Sequence, residues 1–311
     1  MVTRVSTAGN YSAILANLLA AENRQVDAEN RVSSQKNGSN LKDYANKAET
    51  LTAMRTVDRR LQAYQDQNSL IASKLVTQDQ ALTSVADAAQ EVRQAITDAL
   101  AADNADTLMQ RVQGQFQTAV NGLNLKFDGK YLFAGGKVST QPVTANQLSD
   151  LTSGPPISSF FQNDNFQVQA KLDDSTTVTT GQLASSLGTN ILTAFQALQA
   201  FDTGPSGPIN GPLTAAQRTF LENQIATWDG VRQSLTTSAA QNGLVQQQVD
   251  QVKSNLTTQH NTLTGMIGDI TDADMARAAT DLSNAQLSVQ ASARVLQALQ
   301  SSSLLTLLPT Q

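Results

Sequence analysis

Residues Leu61 to Ala99 read "LQAYQDQNSLIASKLVTQDQALTSVADAAQEVRQAITDA". Leu61, Tyr64, Asn68, Ile71, Leu75, Gln78, Leu82, Val85, Ala89, Val92, Ile96 and Ala99 stand alternately three and four residues apart. That spacing is a heptad seam, in which one apolar stripe of a helix faces a partner helix. Only Asn68 and Gln78 are polar within it. Leu51, Met54 and Val57 extend the apolar face upstream, and Asp43 offers a start signal after the turn-forming run Asn37-Gly38-Ser39-Asn40. A helix of about 55 residues would be about 80 Å long. A compact domain of this chain's size has a radius of gyration of about 19 Å, so the spacing predicts an elongated molecule.

Similar spacing appears on both sides. Tyr11, Ile14, Leu18, Ala21, Gln25, Ala28 and Val32 predict an N-terminal helix, and Leu108, Val112, Phe116, Ala119 and Leu123 a helix after the long one. Near Thr214 another helix is expected, with Leu221, Ile225 and Trp228 on one face. Val245, Val249, Val252, Leu256, Gln259, Leu263, Met266 and Ile270 then repeat the heptad, with Gly265 and Gly268 weakening its end. Thr271-x-x-Asp274 suits a fresh N-terminus of capping-box type. From there Met275, Ala279, Leu282, Gln286, Val289, Ala293, Leu296 and Leu299 run toward the closing "LLTLLPTQ".

Proline separates the two helical regions. None precedes Pro142, six fall from Pro142 to Pro212, and the last is Pro309. Since proline inside a helix costs about 3 kcal/mol, the middle is expected to be non-helical or only briefly helical. Phe166, Val168, Ala170 and Leu172 alternate with polar residues as a half-buried strand does. Asp173-Asp174-Ser175 then offers a turn and Thr176 to Thr180 a returning strand. A short helix carries Leu187, Ile191, Phe195 and Leu198, and "GPSGPINGP" (Gly204 to Pro212) leads out. The expected architecture is mainly α, an elongated antiparallel helical bundle or coiled coil built from both chain ends, with a small inserted α+β domain. Its expected parts are an N-terminal assembly segment (1–42), a first arm (43–136), the insertion (137–212), a second arm (213–270) and a C-terminal assembly helix (271–311).

The chain offers little chemistry. Its net charge is −5 and no basic stripe is visible, which argues against nucleic acid. There is no cysteine, so neither disulfides nor thiol catalysis is available. No apolar run approaches the roughly 20 residues of a membrane helix. The N-terminus lacks a cleavable signal, because Asn17 breaks its apolar part and Glu22 and Arg24 follow at once. "GKYLFAGGKVS" (Gly129 to Ser139) has a Gly-Lys pair, but Tyr131 and Val138 stand where a phosphate loop needs glycine and a hydroxyl. It is therefore expected to be a turn leaving the helical body, with Tyr131, Leu132 and Phe133 buried. His260 is the only histidine and cannot build a multi-histidine zinc site; it is expected on a solvated helix surface. "GDITDADM" (Gly268 to Met275) fails the calcium-loop pattern at Ala276 and Arg277 and reads as helix capping. Asp173-Asp174 reads as a solvated turn pair. No catalytic, cofactor-binding or metal-binding constellation is expected, and no enzymatic activity.

Residues 1–35 and 275–308 are more informative. Each has a broad apolar face of Ala, Leu and Val, and a terminal helix with little to pack on is ordered by assembly. Ile14, Leu18, Val32, Leu282, Val289, Leu296 and Leu299 are the candidate subunit-interface residues.

This layout resembles the bacterial flagellin family. "GKYLFAGGKVSTQPV" (Gly129 to Val143) is similar to a Tyr-Leu-Phe-Ala-Gly segment of that family's hook-associated members at the hook–filament junction. Residues Asp269 to Leu308 resemble the family's C-terminus, with an acidic start and a leucine-rich close. Residues Val32 to Tyr64 resemble the segment that enters its long helix, although Gln35 replaces the usual glycine and Asn37 the usual arginine. The resemblance implies a secreted, extracellular structural subunit of the bacterial flagellum, exported unfolded by the flagellar type III route. It implies a homo-oligomeric helical assembly, other axial proteins (hook-associated proteins and flagellin) and an export chaperone as partners, and no membrane insertion. Filament flagellin shares the same ends and is the alternative; a secreted coiled-coil adhesin or effector acting through the insertion is the more distant one.

Overall fold

The structure is a computed structural model that describes residues 2–305, so the last residues of the expected C-terminal assembly segment, 306–311, lie outside the described residues. Among the described residues six α-helices dominate: α1 (Val2–Ser34), α2 (Ala48–Ala102), α3 (Leu108–Leu123), α4 (Ala184–Asp202), α5 (Ala215–Thr271) and α6 (Met275–Leu305). Two antiparallel hairpins accompany them, β1 (Lys126–Phe127) with β2 (Lys130–Tyr131), and β3 (Gln169–Lys171) with β4 (Thr177–Thr179). The fold is mainly α, as the heptad spacing and the proline distribution predict. Its contacts divide the chain into two units, Met1–Leu61 with Thr258–Gln311, and Gln62–Thr257.

The helix boundaries follow from local chemistry. A 3-10 turn, Leu41–Lys47, precedes α2, and the Asp43 carboxylate accepts from the Ser39 and Asn40 N–H groups at its start. Helix α5 opens with a capping box: Gln217 N–H donates to Thr214 Oγ1 while Thr214 N–H donates to Gln217 Oε1. At α6 the cap is Asp274, whose Oδ1 accepts from the Ala276 and Arg277 N–H groups. The expected box headed by Thr271 is thus displaced by one turn, because α5 continues through Gly265 and Gly268 as far as Thr271.

In the 62–257 unit, α2 and α5 run antiparallel. Asn242 and Gln246 of α5 donate to the Leu75 carbonyl of α2, and Gln65 lies opposite Thr257. Every seam position from Leu61 to Ala99 is buried or half-buried. Helix α3 packs on the upper seam so closely that a Cβ at Gly122 would stand 2.6 Å from the Val85 side chain. Phe195 of α4 meets Phe116 and Trp228 edge-on, with ring centroids 5.4 and 4.8 Å away. One apolar cluster therefore takes in Val85, Val92, Phe116, Leu151, Ile191, Phe195 and Trp228. It runs across both arms and the segment expected as a separate insertion. The reason is that Leu148, Leu151 and Ile157 bury themselves against α4 and the helical body.

The polar seam residue Asn68 also has a structural task. It is fully buried and donates to the Leu172 carbonyl, while Gln67 donates to the Lys171 carbonyl and Tyr64 to Asp174. The tip of the β3–β4 hairpin is thereby tied to α2. Asp173 sits in this turn and accepts from Ser175 and Thr176; the Asp173-Asp174 pair is thus a hydrogen-bonded turn rather than a freely solvated one.

Candidate assembly interface

Helices α1 and α6 belong to one unit and pack against each other. Ala21, Ala28, Ala278 and Ala285 are buried along this seam. The pair runs antiparallel: Arg24, Asp27 and Arg31 share one groove with Asp281, Asn284 and Ser288, and the end of α1 meets the start of α6.

The candidate interface residues Ile14, Leu18, Val32, Leu282, Val289, Leu296 and Leu299 are all half-buried in line with those alanines. The structure thus brings them together inside one subunit, on the seam. Met275, Ala279, Gln286 and Ala293, expected on the same face of α6, are exposed; Ala278, Ala285 and Ser292 take their places. A strict alternation of three and four drifts from the true period of 3.6. The residues that α1 and α6 turn outward are different ones. Tyr11, Leu15, Leu19 and Val26 form an exposed stripe on α1, and Leu287 and Val295 are exposed on α6. Sequence periodicity missed this second stripe because it looked for one face per helix. The signal was present in Leu15 and Leu19, each next to a seam residue.

The join between the two helices is tied tightly. Asn37 N–H donates to the Thr271 carbonyl, and Ala273 N–H to the Gln35 carbonyl. The Asn37 side chain donates to the Asp272 carbonyl, and Lys36 forms an ion pair with the Asp272 carboxylate. The Lys36 hydrogen bond, then that of Thr271, holds the Asp272 carboxyl below the usual carboxylate range. Gln35 has φ of 57°, the left-handed region that suits glycine.

Two sites that looked like chemistry resolve as structure. Asp128 and Gly129 form the positive-φ turn of the β1–β2 hairpin, a signal the Asp-Gly pair carries in sequence. Leu132, Phe133 and Ala134 are buried beyond it, while Tyr131 is only half-buried and lies under the Lys126 ammonium. The glycine pair then holds a carboxylate of the chain itself: Asp164 Oδ1 accepts from the Gly136 and Phe166 N–H groups. Those two backbone bonds, Gly136 first, keep the Asp164 carboxyl below its usual range. A Cβ at Gly135, where φ is 67°, would fall 2.2 Å from Asp164 Oδ1. His260 is not on a solvated surface. Its Nδ1 lies 2.7 Å from Asp58 Oδ1, with the side chains 25% and 19% exposed. The seam of α5 runs from Leu256 through His260, Leu263 and Ile267, leaving Gln259 and Met266 outside, and on α2 Asp58 takes the inner place expected of Val57.

Among the described residues no group of three or more metal-ligating side chains comes together, and no helix is long and apolar enough to cross a membrane. What the arrangement offers is exposed apolar side chains on both of the paired terminal helices.

Comparison with known families decides the context. Residues 5–137 match the bacterial flagellin N-terminal helical region, and residues 225–308 match the bacterial flagellin C-terminal helical region. The chain belongs to the bacterial flagellin family. It is accordingly a structural protein of the bacterial flagellum, from a family whose axial members assemble into helical polymers. No curated protein matches it by sequence. Among solved structures, a Vibrio parahaemolyticus chain assigned as a flagellar hook-associated protein is 14% identical, with a TM-score of 0.61 over 74% of this chain and 100% of that one. FlgL of Bacillus cereus is 15% identical, with a TM-score of 0.53 over 70% of this chain and 99% of that one. At such identities the likeness is one of fold.

Proposed function

We propose that this flagellin-family chain sits at the junction between flagellar hook and filament and assembles through α1 and α6. The outward stripe of Tyr11, Leu15, Leu19 and Val26, with Leu287 and Val295, carries the reading. The inner seam of the helix pair is already occupied within the subunit, so these outward apolar residues are left for neighbouring copies. The half-buried seam residues Ile14, Leu18, Val32, Leu282, Val289, Leu296 and Leu299 present their remaining surface to the same neighbours. Placement at the junction, rather than along the filament, is supported by the segment Tyr131 to Gly136 and by the fold likeness to a hook-associated protein and to FlgL.

The role is structural and not catalytic. Its partners are further copies in a helical assembly, other axial proteins such as hook-associated proteins and flagellin, and an export chaperone before assembly. The chain is secreted unfolded through the flagellar type III route to an extracellular position. In this reading residues 1–42 and 271–311 assemble, 43–136 and 213–270 form the body, and 137–212 form the outward part.

Deleting residues 275–311 tests the assembly role: the variant should fail to incorporate into flagella while the purified body stays helical by circular dichroism. Normal incorporation would contradict it. A strain lacking the whole protein should still polymerise filaments but shed them into the medium; a strain that makes no filaments would instead favour the filament flagellin.

A further inference from the structure

The seam between α1 and α6 does not define its own register. Ala21 and Ala28 are seven residues apart, as are Ala278 and Ala285, and all four are buried. Ala28 and Ala285 line one groove, so sliding α6 by a heptad one way brings Ala28 to Ala278 and Ala21 to Ala285, and the other way brings Ala28 to Ser292, also a small residue. Intermediate registers bring larger side chains between the axes and are disfavoured by packing alone. Whole-heptad slips keep a small residue opposite Ala28.

One feature of the pair is unrepeated: the join of residues 35–37 with 271–273. It combines two backbone hydrogen bonds, from Asn37 to Thr271 and from Ala273 to Gln35, with the Asn37 side-chain bond to the Asp272 carbonyl and the Lys36–Asp272 ion pair. The left-handed backbone of Gln35 aims its carbonyl at the Ala273 N–H. We infer that this join is a clasp that sets the axial register of the terminal helix pair, selecting one alignment from those the alanine seam allows. The register in turn sets the axial offset between the outward residues of α1 and those of α6. A one-heptad slip would carry Leu287 and Val295 about 10 Å along the axis relative to Tyr11, Leu15 and Leu19. The inference concerns a single subunit and holds wherever in the flagellum that subunit is placed.

The chain contains no cysteine, which makes a clean cross-linking test possible. Full-length protein carrying Ala28→Cys is paired with Ala285→Cys for the observed register, and with Ala278→Cys or Ser292→Cys for a slip of one heptad either way. Each pair is oxidised with the clasp intact, with the clasp broken by Gln35→Val and Lys36→Ala, and with the conservative Gln35→Gly and Lys36→Arg. A β-branched residue is poorly tolerated in the left-handed region, whereas glycine is at ease there. With the clasp intact or conservatively changed, only the 28/285 pair should cross-link. With it broken, that cross-link should fall at least threefold and a slipped pair should appear. If both slipped pairs stay silent in the broken variant, the inference is overturned. That holds whether or not the 28/285 cross-link persists, since a clasp that merely holds the helices together sets no register.

Discussion

His260 Nδ1 of α5 lies 2.7 Å from Asp58 Oδ1 of α2, and each residue occupies an inner seam position where an apolar side chain is the usual choice. The pair forms a polar layer in the unit built from the two chain ends. Removing one member takes this bond from the other. Asp58→Ala or His260→Ala should each cost about 1–2 kcal/mol in urea unfolding. Replacing both with leucine should recover most of that loss, because an apolar layer can substitute for a buried polar pair. A double variant as unstable as the two alanine losses added together would count against this.

Asn68 should behave differently. Its amide is fully buried and donates to the Leu172 carbonyl at the tip of the β3–β4 hairpin. Asn68→Leu would improve the heptad by pattern yet orphan that carbonyl, at a cost of about 1–3 kcal/mol. Hydrogen exchange should speed up at residues 169–179 and remain unchanged in α3. Unaltered exchange in the hairpin would show that the tie is dispensable.

Gly135 is constrained twice, by φ of 67° and by the Asp164 carboxylate, which would stand 2.2 Å from an added Cβ. Gly135→Ala should therefore destabilise the 62–257 unit by roughly 1–3 kcal/mol. The lone tryptophan, Trp228, is buried in the same unit and reports its unfolding by fluorescence. Gly129→Ala, at a positive-φ turn with open space around the Cβ, should cost less. Equal losses at the two glycines would remove the role given to Asp164.

Acid should weaken the fold through its hydrogen-bonded carboxylates. The Lys36 bond lowers the pKa of Asp272, the Gly136 N–H that of Asp164, and the Arg111 bond that of Asp98. A carboxyl with a depressed pKa binds its proton more weakly folded than unfolded. Its contribution is thus complete above the unfolded value of about 3.9 and is lost as pH falls through the lower folded value. The urea midpoint should be level from about pH 7 to about pH 5 and drop toward about pH 2. Asp164→Asn and Asp272→Asn should each make the drop shallower. A midpoint that rises with acid would contradict the assignment of these groups.

The long helices were legible because burial repeats with the heptad: the seam from Leu61 to Ala99 is inside at every position. The β3–β4 hairpin was legible from alternation and an aspartate-rich turn. Three features were not. Asp58 and His260 are polar residues at inner positions, and apolar periodicity passes over such layers. The outward stripe of Tyr11, Leu15, Leu19 and Val26 abuts the seam in sequence, so a single-stripe reading merges the two. The clasp depends on residues 235 or more positions apart, Lys36 and Asn37 with Asp272, and nothing local marks that pairing. Even so, the glycine expected at position 35 by family resemblance hinted at the left-handed backbone found there.

Immunogold labelling of intact flagella tests the central claim most directly. An antibody raised against residues 137–212 should mark a short zone immediately beyond the hook and leave the rest of the filament bare. Label spread along the whole filament would contradict the junction assignment and make the chain a filament flagellin.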